Sequence, residues 1–176
     1  MINTKTTQGF LSIVMAVFNG QSSIYHAIMS VIEQNYYDWE LLIVNDGSTD
    51  KTSEIIKSFT DTRIRYYEQP NMGVSFARNL ALSKMSGDYF CFLDADDVMP
   101  PGGLRDRLGV FLNQPDLSFV DGKVLYCNEN MTFTGKEYVP SFEGFPYHEL
   151  LCLNRSCYFG NTWMIKKQKD LYLMTI

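Results

Sequence analysis

Asp88–Asp97 reads DYFCFLDADD, an apolar run that drives straight into three carboxylates within four residues. Two unit charges about 4 Å apart interact by about 4 kcal/mol at an effective dielectric near 20, and here the like charges repel. A folded chain gathers such groups against a compensating cation or for a task. The place where this apolar run ends decides how the rest of the chain is read.

Working outward, Phe10–Val17 is apolar, β-branched in part, and stops at the turn signal FNG, as a buried strand does. Ser22 or Ser23 is positioned to cap a following helix, whose Ile24, Ala27, Ile28, Val31 and Ile32 share one face. Trp39–Val44, WELLIV, is a second buried strand. It runs into NDGSTD, where Asp46-Gly47 signals a turn and Ser48 or Asp50 caps a helix from Lys51 to Phe59. Arg63–Tyr67 reads as a short third strand and QPNMG as a loop. Val74–Met85 is the next helix, with Ala77, Ala81 and Met85 on one side and Gly87 as its stop. Asp88–Leu93 is the fourth strand. Pro100 and Pro101 open a helix to Leu112, proline being tolerated in a first turn. Leu117–Tyr126 reads as one more strand, Asn128–Tyr147 as loop or strand, and SCYFGNTWMIKK as strand-like at its centre.

Strand and helix thus alternate at least four times, which predicts an α/β fold: a Rossmann-like, mainly parallel sheet with helices on both faces. Ligands of such sheets sit beyond the carboxyl ends of the strands. Three polar clusters fall at those ends: FNG (Phe18–Gly20), NDGS (Asn45–Ser48) and DADD (Asp94–Asp97). The fold therefore lines all three along one edge.

Composition narrows the classes. A chain of 176 residues suits one domain. A formal charge of −5 argues against nonspecific nucleic-acid binding, which needs Lys and Arg on phosphates. The one basic cluster, KKQK at Lys166–Lys169, is too short for a polybasic anchor and reads as solvated surface. Cys91, Cys127, Cys152 and Cys157 form no C-x-x-C pair, in keeping with a reducing cytosol, and Cys91 reads as a small hydrophobe in its apolar run. Phe10–Phe18 is too short to span a bilayer and has no cleavage pattern after it, so a soluble chain is expected, with peripheral attachment at the inner membrane face left open.

Each cluster carries two readings. DADD is either a solvated acidic turn, with Asp94 or Asp97 capping the next segment, or a site for Mg²⁺ or Mn²⁺, hard cations that favour carboxylate oxygen. In NDGS, Asp46 either serves the turn or accepts from a base ring or ribose. In NMGVSFARN the glycine suits close backbone approach, and Arg78 pairs with a carboxylate or reaches a phosphate. No Walker loop is present, and no G-x-G-x-x-G follows a strand. His26 falls off the apolar helix face, and His148 in PYHEL reads as structural or as part of an acceptor cleft. The two make no metal pair and no hydrolase triad.

In order, LSIVMAVFNG, WELLIVNDGSTDKT, NMGVSFARNLAL and GDYFCFLDADDVMPP resemble family 2 of the inverting, nucleotide-sugar-dependent glycosyltransferases with the GT-A fold. The resemblance covers most of Leu11–Leu112 and continues more weakly through GNTWMIKK. It implies that Ala16, Val17, Phe18 and Asn19 line the nucleotide base, Asp46 hydrogen-bonds it and Arg78 lies near the diphosphate. It further implies that Asp94 contacts ribose or metal, Asp96 is the principal metal ligand, Ala95 lies against the donor between them, and Asp97 supports. The implied reaction is a single displacement: an acceptor hydroxyl attacks the anomeric carbon, with inversion, and a nucleoside diphosphate leaves. The implied partners are a nucleotide sugar, UDP favoured, a glycan or lipid-linked acceptor, and Mn²⁺ or Mg²⁺.

Three departures stand out. Ala16 replaces the family's usual proline, and Asn45 replaces a frequent aspartate beside Asp46. The Glu-Asp motif that usually supplies the general base after the NTWMIKK region is absent, and nothing in the spacing supports Glu149 or Asp170 in its place. A donor-binding part over 10–127 followed by an incomplete acceptor part over 128–176 is therefore expected. The other readings left standing are a noncatalytic nucleotide-sugar-binding module or truncated inactive fragment, and a nucleotidyltransferase on a similar fold.

Overall fold

The structure, a computed structural model, describes residues 9–128, 132–144 and 162–168. His148, Glu149, Cys152, Cys157, Lys169 and Asp170 lie outside these. The chain runs β1 (Leu11–Val17), α1 (Ile24–Ile32), β2 (Trp39–Asp46), α2 (Thr52–Lys57), β3 (Ile64–Gln69), α3 (Val74–Lys84), β4 (Tyr89–Phe92) and α4 (Gly103–Asn113). Four shorter strands come next: β5 (Phe119–Val120), β6 (Val124–Cys127), β7 (Phe133–Tyr138) and β8 (Met164–Lys166).

Six strands form one sheet in the order β3-β2-β1-β4-β8-β5. β1 pairs in parallel with β2 and with β4, and β2 with β3, while β8 runs antiparallel to both of its neighbours. Alternation along β1 sorts its side chains between two layers. Leu11, Ile13, Met15 and Val17 pack with α1, with Ile56 of α2 and with Leu104, Leu108 and Phe111 of α4. Val14 joins Leu42, Val44, Phe90, Phe92 and the small Ala77 and Ala81 of α3 on the other face. Both faces of β1 and β2 are covered, which is why these strands read as unbroken apolar runs. The expected α/β sheet with helices on both faces is the one found. Cys91 is buried within it, and burial pushes its thiol up, as suits a packing residue.

Local details differ from the sequence reading. Leu117–Tyr126 is not one strand: Asp121 and Gly122 turn the chain, the Gly122 amide donating to Asp121 Oδ1 at 2.7 Å, so that β5 joins the main sheet and β6 pairs with β7. Ser23 stands at the N-cap of α1 without accepting from a helix amide. Its hydroxyl instead faces Gly20 O at 3.5 Å. The α4 helix starts after Pro100 and Pro101, at a left-handed Gly102 with φ +79°.

A buried polar network ties the amino ends of the strands. Glu40, only 5% exposed, accepts from Ser12 Oγ (2.7 Å), the Ser86 amide (2.5 Å) and Arg65 Nη1 (2.6 Å). The Gly87 amide donates to Ser12 Oγ at 2.9 Å, and a Cβ on Gly87 would lie 2.6 Å from both the amide nitrogen and the hydroxyl of Ser12. Glycine is required there by close approach.

Candidate functional site at the carboxyl edge

After β1, β2 and β3 step outward in one direction, the chain returns to place β4 on the other side of β1. The strand order reverses between β1 and β4, which makes their carboxyl ends the switch point where open α/β sheets bind ligands. β1 ends there at Phe18–Gly20. β4 continues through Leu93, whose amide donates to Val14 O at 3.0 Å, into Asp94–Asp97. A Cβ built on Gly20 would lie 3.8 Å from the Ala95 methyl, so the two loops touch.

The β1 and β2 loops are stitched together. The Asn19 amide donates to Ser48 Oγ (2.9 Å), Gly20 to Thr52 Oγ1 (2.9 Å) and Gln21 to Asp50 Oδ2 (3.1 Å), while Thr49 donates back to Asn19 Oδ1 (2.9 Å). Asn45, fully buried, accepts from the Ser48 amide at 3.0 Å and donates to Tyr66 Oη at 3.0 Å. The polar run NDGSTD is thus in large part a clamp on the FNG loop. Within this frame Ala16 is half-buried, Val17 buried, and Phe18 51% exposed, its ring on the open edge.

Asp46 is only 4% exposed and carries three hydrogen bonds: from Gln69 Nε2 (2.7 Å), Met72 N (2.9 Å) and Gly73 N (2.8 Å). It anchors the β3–α3 loop. Two carboxylate oxygens offer about four lone-pair sites, so about one remains for a ligand donor. Gly73 serves this loop through its φ of +93°, with open space where a Cβ would stand, rather than through close approach. Close approach belongs to Gly47, at φ +74°, where a Cβ would meet Asn71 N at 2.7 Å. Gly47→Ala is expected to cost about 2 kcal/mol from left-handed strain and this contact. It should also loosen the loop on Asp46. A thermal melt checks it, with a drop of less than about 2 °C meaning that the backbone relaxes without cost.

Past the end of β4, the carboxylate oxygens of Asp94, Asp96 and Asp97 come within 4.8 Å of one another. The turn is closed by the Asp97 amide donating to Asp94 O at 3.1 Å. Arg78, on α3, reaches across to Asp94 Oδ1 at 2.8 Å, and its guanidinium lies 4.9 Å from the centroid of the Phe92 ring. Desolvation and the nearby charges of Asp96 and Asp94 push the Asp97 carboxyl above the usual range. The donor set is all carboxylate oxygen, convergent and partly exposed, which fits a hard divalent cation. The structure therefore brings Phe18, Asn19, Ala95, Asp94, Asp96, Asp97 and Arg78 to one edge, with Asp46 at the carboxyl end of the neighbouring β2. His26 is exposed on α1, away from the apolar face, as expected.

Sequence reasoning missed the supports. Gln69 holds a site loop through the Asp46 carboxylate, and Ser30 and Gln34 hold another through distant backbone. No residue pattern marks any of the three, because each acts through hydrogen bonds to groups distant in sequence.

The fold and the edge define a GT-A-type α/β domain. S. aureus TarS 1–349 superposes with a TM-score of 0.65 at 19% identity, covering 89% of this chain and 47% of that one. The mannosyltransferase PcManGT from Pyrobaculum calidifontis, solved with GDP-Man and Mn²⁺, gives a TM-score of 0.60 at 22% identity, over 66% of this chain and 36% of that one. At these identities the likeness is one of fold. The chain belongs to glycosyl transferase family 2, whose model matches residues 12–171. WfgD of Escherichia coli, a UDP-Glc:alpha-D-GlcNAc-diphosphoundecaprenol beta-1,3-glucosyltransferase, is 33% identical over 151 residues, 85% of this chain and 57% of that protein. The chain spans about half the length, or less, of the curated relatives it matches. Among the described residues no helix is long and apolar enough to cross a membrane.

Proposed function

We propose that this chain carries the donor site of a metal-dependent, inverting glycosyltransferase, which moves a sugar from a nucleoside-diphosphate sugar to an acceptor hydroxyl in glycan or glycoconjugate synthesis. The observation that carries the reading is the convergence of Asp94, Asp96 and Asp97 at the β1–β4 switch point. Family membership supports the transfer chemistry. The donor and lipid-linked acceptor in the name of WfgD support a UDP-sugar and a lipid-linked glycan as partners.

The residues divide the work by chemistry. Ala16, Val17, Phe18 and Asn19 form the wall for the base, with the Phe18 ring offering a stacking face. Asp46 holds the loop below it and offers its remaining lone pair to a base N–H. Asp94 and Asp96 would hold Mn²⁺ or Mg²⁺, with Ala95 between them against the donor and Asp97 supporting. Arg78 adds a fixed positive charge beside the diphosphate and orients Asp94. When bound, the cation supplies charge neutralisation for the departing nucleoside diphosphate. Glu149 and Asp170 lie outside the described residues, and the general base is left unassigned.

Nucleoside diphosphate release from UDP- and GDP-sugars, measured with an acceptor glycolipid in Mn²⁺ and in EDTA, tests the reading. Release in Mn²⁺ that vanishes in EDTA is expected. Metal-dependent binding without release, for any donor, would instead mark a noncatalytic nucleotide-sugar module. Pyrophosphate release from a nucleoside triphosphate would mark a nucleotidyltransferase.

A further inference from the structure

The acidic turn gathers three carboxylates, of which Asp94 is paired with Arg78. Three carboxylates repel one another, and among the described residues the one backbone bond inside the turn runs from Asp97 to Asp94. Its upstream end is fixed by β4 in the sheet. Its downstream end is fixed by side chains of α1 and its end. Ser30 Oγ, which donates to Ala27 O at 2.7 Å, accepts from the Met99 amide at 2.9 Å. Gln34, one residue beyond the end cap of α1 and 3% exposed, donates through Nε2 to Pro100 O at 3.0 Å and more weakly to Met99 O at 3.4 Å. Its Oε1 accepts from the Leu104 amide at 3.3 Å. Arg107 grips the same segment from α4, through Gly103 O at 2.8 Å and Met99 Sδ at 2.8 Å.

We propose that Gln34, with Ser30, is a positioning residue of the donor site: by fixing Met99–Leu104 it holds the carboxylates of Asp94–Asp97 converged and ready for a divalent cation. The inference rests on the function proposed above. A residue some 60 positions upstream of the turn thereby sets how well the turn accepts charge. Without the anchor, the turn is held only by its own Asp97–Asp94 bond and by Arg78 on Asp94, repulsion from Asp96 can spread it, and each cation bound must first draw it together.

The test is the affinity of the full chain for UDP by calorimetry, in Mn²⁺ and in EDTA, for wild type, Gln34→Met and Ser30→Ala. Outer partners of a metal site change affinity by about 10- to 100-fold when removed. Gln34→Met, whose effect reaches the carboxylates only through the backbone, is expected to weaken UDP in Mn²⁺ by about tenfold, the bottom of that range, while leaving the value in EDTA unchanged, with Ser30→Ala moving the same way by a smaller factor. A purely structural role would lower the melting temperature and weaken UDP equally in both buffers, and that result overturns the inference. If Gln34→Met does not fold, Ser30→Ala decides by the same ratio. A wild-type chain whose UDP affinity is indifferent to Mn²⁺ overturns the proposed function and this inference with it. A wild-type metal increment that both variants preserve overturns this inference alone.

Discussion

Asp96→Asn is expected to remove the metal-dependent part of UDP binding, by about a hundredfold or more in Mn²⁺, and to leave binding in EDTA unchanged. The reasoning starts from what holds Asp96. It is exposed, and among the described residues nothing donates a hydrogen bond to its side chain, in contrast to Asp94, which Arg78 engages at 2.8 Å. Its carboxylate contributes repulsion and, under the proposed function, an oxygen ligand for a bound cation. Removing the charge therefore costs the fold nothing, and the melting temperature of the metal-free protein should hold or rise slightly, the usual mark of a residue kept for function rather than stability. It should also let the Asp97 carboxyl fall back toward its ordinary range, since Asp96 is one of the charges that pushes it up. Asp94→Asn should behave differently. It also breaks the pair with Arg78, a partly exposed contact worth up to about 1 kcal/mol, so metal response and some stability fall together. An Asp96→Asn chain that keeps the full Mn²⁺ response would sink the metal assignment.

How much of the molecule is readable from its sequence depends on which contacts are local. The strands β1, β2 and β4 announce themselves because both faces are buried and their apolar runs are unbroken. The helix α1 does so through the spacing of Ile24, Ala27, Ile28 and Val31. Given strand–helix alternation, handedness and crossover rules place FNG, NDGS and DADD on one edge, so the position of the candidate site is legible too. The anchoring of the β3–α3 loop by Asp46 is not, because its partners Gln69, Met72 and Gly73 lie across a turn whose geometry depends on a positive φ at Gly73. The division of Leu117–Tyr126 is hidden for a related reason: β5 owes its place to β8, more than 40 residues later, and pairing of that range leaves no periodicity to read. Gln34 is invisible because its role is a set of hydrogen bonds to backbone groups, which no residue pattern encodes.

The second large effect is predicted far from the donor edge, at Glu40. Burial alone would push this carboxyl up, but hydrogen bonds from the Ser86 amide and Ser12 and the hydrogen-bonded charge of Arg65 outweigh it and hold the group below the usual glutamate range. A depressed folded-state value means that the ionised form stabilises the native protein. That contribution is fully present above the unfolded value, about 4.3, and is lost as pH falls through the folded value. Glu40→Gln removes the charge at every pH, leaves Arg65 without its 2.6 Å partner and turns an amide nitrogen toward donors. Breaking a buried pair costs about 3–5 kcal/mol. Arg65 is 37% exposed and can turn to water, which places the cost near the lower end, about 3 kcal/mol. For a chain of this size that is a drop of about 6–12 °C in melting temperature at neutral pH. The gap between wild type and Glu40→Gln should narrow as pH falls from the unfolded value, about 4.3, through the lower folded value, because wild type then loses the charge that the variant lacks at every pH. Because the network joins β1, β2, β3 and the start of β4 at their amino ends, on the side of the sheet away from the ligands, UDP affinity below the melting range should not change. A variant that melts within about 2 °C of wild type at neutral pH would mean that well-solvated Arg65 and the remaining hydrogen bonds suffice, and that the ion pair is incidental to holding the four strands in register.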